Sequence, residues 1–92
     1  MFLEIVTPEA VIFNSDVVSV LVPGVNGKFQ LLKNHAAIVS LLVGGSVIIK
    51  GDEIQIEKEF ESKFTISNNV YSLAINSGTI EMKDDKIIIL AD

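Results

Sequence analysis

Apolar and polar residues change places in short bursts along almost the whole chain, with a period nearer two than 3.6. In Phe2–Thr7, Leu3 and Ile5 flank Glu4, and Pro8 ends or edges the strand because it offers no N–H to a ladder. Ala10–Phe13 follows, closed by the turn-forming Asn14, Ser15 and Asp16. Val17–Val22 is apolar except at Ser19 and stops at Pro23-Gly24. Lys28–Leu32 is a further strand, and Ile38–Val43 and Val47–Lys50 flank the hairpin signal Gly44-Gly45.

Past the turn at Gly51-Asp52, Glu53–Glu61 gives the cleanest alternation of all. Ile54, Ile56 and Phe60 fall on one face with Lys58 between them; Glu53, Gln55, Glu57, Glu59 and Glu61 fall on the other. The expectation is a strand with one dry face and one wet face. Asn68-Asn69 joins Phe64–Ser67 to Tyr71–Ile75, since asparagine enters positive φ readily. Asn76-Ser77-Gly78 turns into Thr79–Lys83, and Asp84-Asp85 turns into Lys86–Leu90. The pattern predicts roughly ten short strands in an all-β sandwich or barrel. No stretch carries a helical period of useful length. The best helical candidate, His35–Leu42, is short and rich in β-branched residues.

The 92 residues make one domain, 1–92, of a size that buries about 60–65% of its unfolded surface. Yet the chain is 49% hydrophobic, with a mean hydropathy of +0.50. Either the core is unusually dense or some apolar surface faces a partner, and composition leaves both open. Twelve acids against seven lysines, with no arginine, give a net charge of −5 and argue against nucleic acid and anionic lipid. The absence of cysteine excludes disulfides and thiolate chemistry and suits a reducing compartment. The start has no basic n-region, and no apolar run approaches the ~20 residues of a membrane helix.

Candidate chemistry is sparse. A single histidine, His35, predicts no metal site within one chain. Asp84-Asp85 lacks the spaced oxygens of a calcium loop and reads as a solvated turn. The Glu57, Glu59, Glu61 ladder reads as a solubility device and edge guard. Ser40 and His35 have no acid nearby to complete a triad. Gly24-Val25-Asn26-Gly27 lacks the Lys-Ser/Thr pair and the following helix of a phosphate loop. His35 is then a packed or capping histidine, the commoner fate, or a partner contact.

Three ordered stretches carry a resemblance that covers nearly the whole chain. They are LEIVTPEAVIF near the start, GKFQLLKNHAAIVSLLVGG over Gly27–Gly45, and INSGTIEMKDDKIIILAD at the end. Together they resemble the ε subunit of F-type ATP synthase. Within the middle stretch, Leu31-Leu32-Lys33-Asn34-His35-Ala36-Ala37 carries the motif. It departs from the family pattern in three places. Ala37 stands where proline is usual, which makes the turn less rigid; Asn34 replaces glycine; and Lys28 replaces a frequent acid. The segment from about Ile54 to Asn69 matches no family motif and reads as an extended hairpin.

The resemblance implies a flattened β-sandwich of two antiparallel sheets without substantial helix. It implies a non-catalytic rotor subunit that links the γ subunit to the c-ring and couples proton translocation to ATP synthesis. The place implied is the cytoplasmic face of a bacterial inner membrane, held peripherally through the c-ring. For c-ring contact it implies Asn26, Gly27, Lys28 and Phe29, together with Lys33, Asn34 and His35. For γ contact it implies Ala36, Ile38, Val39, Leu41 and Leu42, a strand apolar on both faces; a central strand covered by its own chain would show the same pattern, and the two readings stand level. It implies no catalytic residue, metal or cofactor. Family members commonly continue into two C-terminal helices, which in some bind ATP. This chain stops at Asp92, trimmed or naturally without them, so no ATP binding is expected. The alternative reading is a stand-alone β-sandwich binding module, for a small ligand or a surface partner. A pocket enzyme is the weakest reading.

Overall fold

The computed structural model describes residues 1–92. Its strands are β1 (Phe2–Val6), β2 (Val11–Asp16), β3 (Ser19–Gly24), β4 (Gly27–Leu32), β5 (Ile38–Leu42), β6 (Gly45–Lys50), β7 (Phe64–Ser67), β8 (Val70–Ile75), β9 (Gly78–Lys83) and β10 (Lys86–Ala91). A 3₁₀ turn, Lys58–Lys63, precedes β7 and is the only helical element. The all-β expectation holds, and most strand boundaries lie within two residues of the sequence pattern.

The hydrogen-bonded order is β2-β1-β10-β9-β5-β3-β6-β8-β7, with β4 on the remaining edge of β3. This single sheet behaves as two halves. Strands β2-β1-β10-β9-β5 form one half, and β4-β3-β6-β8-β7 form the other. The halves meet in register at one position, Gly24↔Leu42. Below that rung β3 leaves β5 and pairs Ser19–Leu21 with Ile48–Lys50 of β6. The sheet therefore curls over and closes face to face as a sandwich. One pair departs from the antiparallel pattern. The first and last strands, β1 and β10, run parallel from Phe2↔Lys86 to Val6↔Leu90.

Tight turns follow the sequence chemistry. Asn68 (φ 50°) and Asn69 (φ 63°), like Asp84 (φ 51°) and Asp85 (φ 63°), hold consecutive positive φ angles. Such pairs form the two-residue hairpin turn whose twist matches the flanking strands. Between the halves lie nineteen buried apolar side chains, to which every strand contributes. Leu3, Ile5, Val20, Val22, Leu31, Val47, Ile49, Ile87 and Ile89 are fully buried. No buried side-chain polar atom lacks a hydrogen-bond partner, so the core carries no unsatisfied polar cost.

The strand expected at Glu53–Glu61, and the extended hairpin built on it, are not formed. Residues 51–57 are irregular, and Lys58–Lys63 is the 3₁₀ turn. Ile54, Ile56 and Phe60 do pack against the core, while Glu53, Gln55, Glu57, Glu59 and Glu61 face water. Alternation reports an extended backbone with one apolar side; a strand also needs a partner edge. This segment is instead a strap over the side of the sandwich. Ile56 and Phe60 border a crevice with Val11–Asn14 of β2, and the Tyr71 hydroxyl donates to the Ile54 carbonyl at 3.4 Å.

Candidate functional site

The Gly24–Gly27 turn is built by steric need. A Cβ on Gly24 would stand 2.6 Å from the Phe29 ring and 2.7 Å from the Gly27 carbonyl. Gly27 holds φ +118°, a region L side chains rarely adopt. Asn26, Gly27 and Lys28 are exposed on this turn, with Phe29 half-buried behind them. At the far end of β4 a second turn forms. Asn34 sits at φ 66°, and the His35 N–H returns to the Leu32 carbonyl at 3.1 Å. The His35 ring is exposed, and its Nδ1 lies 2.7 Å from the Ala36 carbonyl, which makes Nδ1 the protonated nitrogen there.

Asp85 anchors that second turn. One carboxylate oxygen accepts from the Asn34 N–H at 3.4 Å, and the other lies 3.3 Å from the Met1 ammonium. Partial desolvation pushes the carboxyl up. The Asn34 hydrogen bond, the ammonium and the nearby Lys33 outweigh it and hold the carboxyl below its ordinary value.

The two turns occupy opposite ends of the sandwich. A six-residue strand separates them, a rise of roughly 17–20 Å. Asn26, Gly27, Lys28 and Phe29 therefore lie in a turn at one end of β4, and Lys33, Asn34 and His35 in a turn at the other. The c-ring group expected from the sequence is thus split between two turns. They read as neighbours because β4 is short in sequence but spans the full height of the sheet.

Strand β5 divides the other expected group. Leu42 is 4% exposed and belongs to the core, so it offers no side chain to a partner. Ile38 faces the same side and is half-buried. Val39 and Leu41 point outward and are 75% and 62% exposed. Ala36 is exposed in the loop before the strand. The register extends this outward pair across the half-sheet. Leu41 stands opposite Thr79, Thr79 opposite Leu90, Leu90 opposite Val6, and Val6 opposite Val11. Leu90 is 52% and Val11 45% exposed and Val6 is half-buried, so the row crosses all five strands and is apolar on each but β9, where Thr79 stands. Val39 begins a second row with Ile88, broken by Glu81 and Glu4.

The row opens into an apolar groove of about 670 Å³ at the Gly24–Gly27 end, lined by Val6, Val25, Leu41, Val43, Leu90 and Ala91 among others. The contributions of Val6, Val11, Val25, Val43 and Leu90 were not singled out by sequence reasoning. A signal existed for Leu90. Ile87-Ile88-Ile89-Leu90 is apolar at consecutive positions, as β5 is, and so must be apolar on both faces. Nowhere do three or more His, Cys, Asp or Glu side chains converge as metal ligands would.

A model of the ATP synthase delta/epsilon chain β-sandwich domain matches residues 1–92, the whole of this sandwich. The chain belongs to the ATP synthase delta/epsilon family. It is 40% identical over 92 residues to the ATP synthase epsilon chain of Campylobacter concisus, covering all of this chain and 60% of that one. The corresponding chain of Campylobacter curvus is 38% identical over 92 residues, with 60% of it covered. That of Sulfurimonas denitrificans is 38% identical over 90 residues, with 58% covered. The chain thus spans about three-fifths of the length of these epsilon relatives. The fold also matches a chain in the cryo-EM structure of the Tetrahymena thermophila mitochondrial ATP synthase central stalk and c-ring. That match has a TM-score of 0.74 at 15% identity and covers 99% of this chain and 62% of that one.

Proposed function

We propose that this chain is the β-sandwich of a non-catalytic central-stalk subunit of an F-type ATP synthase. It links the γ subunit to the c-ring and so helps couple proton translocation to ATP synthesis. Family membership supports the complex, and the outward row Leu41–Thr79–Leu90–Val6–Val11 carries the γ assignment. A row with aliphatic side chains on four of its five strands, three of them exposed (Leu41, Leu90 and Val11), is the kind of surface a permanent partner covers.

The c-ring contact in this reading is the Asn26–Phe29 turn, which adjoins the γ face through Val25 and Leu41. It offers an amide and the Lys28 ammonium to polar loops. The turn at Lys33–His35 lies at the other end and takes no part. Attachment to the membrane is indirect, through the c-ring and on the cytoplasmic face of a bacterial inner membrane; no helix here is long and apolar enough to cross.

Capture by immobilised γ subunit tests the proposal. The parent chain is expected to bind, and Leu41→Glu to lose binding while keeping its fold, because Leu41 is exposed. Failure of the parent to bind, or undiminished binding of Leu41→Glu, overturns the assignment. The sandwich alone is also expected to bind no ATP, which calorimetric titration checks; sub-millimolar affinity refutes it.

A further inference from the structure

The backbone of β5 is half unpaired on one edge. The Leu41 carbonyl accepts from Val25 N–H at 3.2 Å, and Val43 N–H donates to the Pro23 carbonyl at 2.9 Å. Both bonds point toward β3. Backbone groups of alternate residues in a strand point to the same side, so the N–H and C=O of Val39 are aimed that way too. There β3 is gone, because below Gly24 it has turned to pair with β6. Val39 N–H and C=O and Leu41 N–H consequently have no backbone partner in this chain.

The other free edges are protected. Strand β2 ends in Asp16 and has the strap beside it; β4 carries Lys28; β7 has four residues and ends at Asn68-Asn69. Strand β5, Ile-Val-Ser-Leu-Leu, has no charge and no proline. An apolar edge without such guards is a template for another strand. Exposed side chains alone would accept a helix as well. Unpaired amides and carbonyls beside them are satisfied only by extended backbone.

We infer that the open edge of β5 takes up an extended segment of the γ subunit. That segment adds a short strand beside Ala37–Leu41 and lays its own aliphatic side chains next to Val39 and Leu41. The inference rests on the γ reading above and specifies the structure of the element bound. The edge is continuous with the apolar row, since Val39 and Leu41 belong to both. Room for the added strand ends where the Val25-Asn26 turn meets Leu41, so it is limited to about three to five residues at ~3.3 Å each.

Amide hydrogen exchange in the complex of this chain with γ is the test. The Val39 amide is expected to exchange rapidly in the free chain and at least about 100-fold more slowly in the complex. Val39→Pro deletes that donor without touching the β5–β9 ladder, because the N–H points away from β9; proline is tolerated on such an edge. It is expected to weaken γ binding about tenfold or more, whereas Val39→Ile, which keeps the donor, binds as the parent does. If Val39→Pro does not fold, exchange in the parent decides alone. Binding by the parent with a fast-exchanging Val39 amide overturns strand addition and leaves the γ face standing. No binding by the parent overturns both. A Val39 amide protected in the free chain in a concentration-dependent way shows a second copy on the edge, and also overturns the inference.

Discussion

Gly24 of β3 and Leu42 of β5 form the one rung that joins the two halves of the sheet. Its flanking bonds, Val25 to Leu41 and Val43 to Pro23, hold the curl closed. Gly24 also lies under the Phe29 ring and against the Gly27 carbonyl, and that carbonyl is backbone and cannot swing aside. Gly24→Ala is therefore expected to cost about 1–3 kcal/mol. The thermal midpoint should fall by on the order of 10 °C. A midpoint unchanged within error would show that the turn can open without loss.

Neighbouring residues of β5 should respond in opposite ways. Leu42 is buried among core side chains, so Leu42→Ala is expected to cost roughly 2–4 kcal/mol of stability in urea unfolding. Val39 is exposed, and Val39→Ala should shift stability by no more than about 0.5 kcal/mol. In γ capture the order reverses among molecules that remain folded. Val39→Glu should lose binding, and a Leu42 substitution that still folds should keep it.

The Asp85 carboxylate gives the fold a pH dependence of known sign. Its carboxyl is held below the ordinary value in the folded chain. Stability from it is thus fully present above the unfolded-state value, about 3.9 for an aspartate, and is lost as pH falls through the lower folded value. Asp85→Asn retains a side chain tolerant of φ 63° but removes the charge. Unfolding midpoints measured between pH 5 and the acid limit should converge for parent and variant as the pH falls. Parallel curves would mean that the contacts to Met1 and Asn34 contribute nothing.

The strap is expected to be the least stable part of the sandwich. Phe60, Ile54 and Ile56 hold it by partial burial, and no ladder supports residues 51–57. Amides in that stretch should exchange faster than those of β1, β9 and β10, which sit inside the sheet. Phe60→Ala should cost about 1–2 kcal/mol, less than the 3–5 of a fully buried phenylalanine. A larger loss would show that the strap closes the core rather than merely resting on it.

Period-two patterning and turn chemistry located the strands, because both are local properties of the backbone. Asn68-Asn69 and Asp84-Asp85 were legible as turns for the same reason. Glu53–Glu61 misled because its alternation is satisfied by a one-sided strap, and the lack of a partner edge is a tertiary fact. The parallel pairing of β1 with β10 was likewise invisible, since nothing in Phe2–Val6 names its neighbour. At the candidate site, the doubly apolar character of β5 was readable, but not which side chains face out. Only the register shows Val39 and Leu41 outward, Leu42 inward, and Leu90 and Val6 completing the row. The distance between Lys28 and His35 was hidden by their closeness in sequence.

The place of β10 has a consequence for synthesis. Lys86–Ala91 lies between β1 and β9, in the middle of its half-sheet, and buries Ile87, Ile89 and Ala91. Until the ribosome has released those residues, β1 has no partner on that side and must wait for β10, which is made about eighty residues later. The sandwich cannot close while the chain is being translated through β9, and its apolar strands stay open to chaperones for that interval. A nascent chain halted before Lys86 would be a sheet with its central board missing.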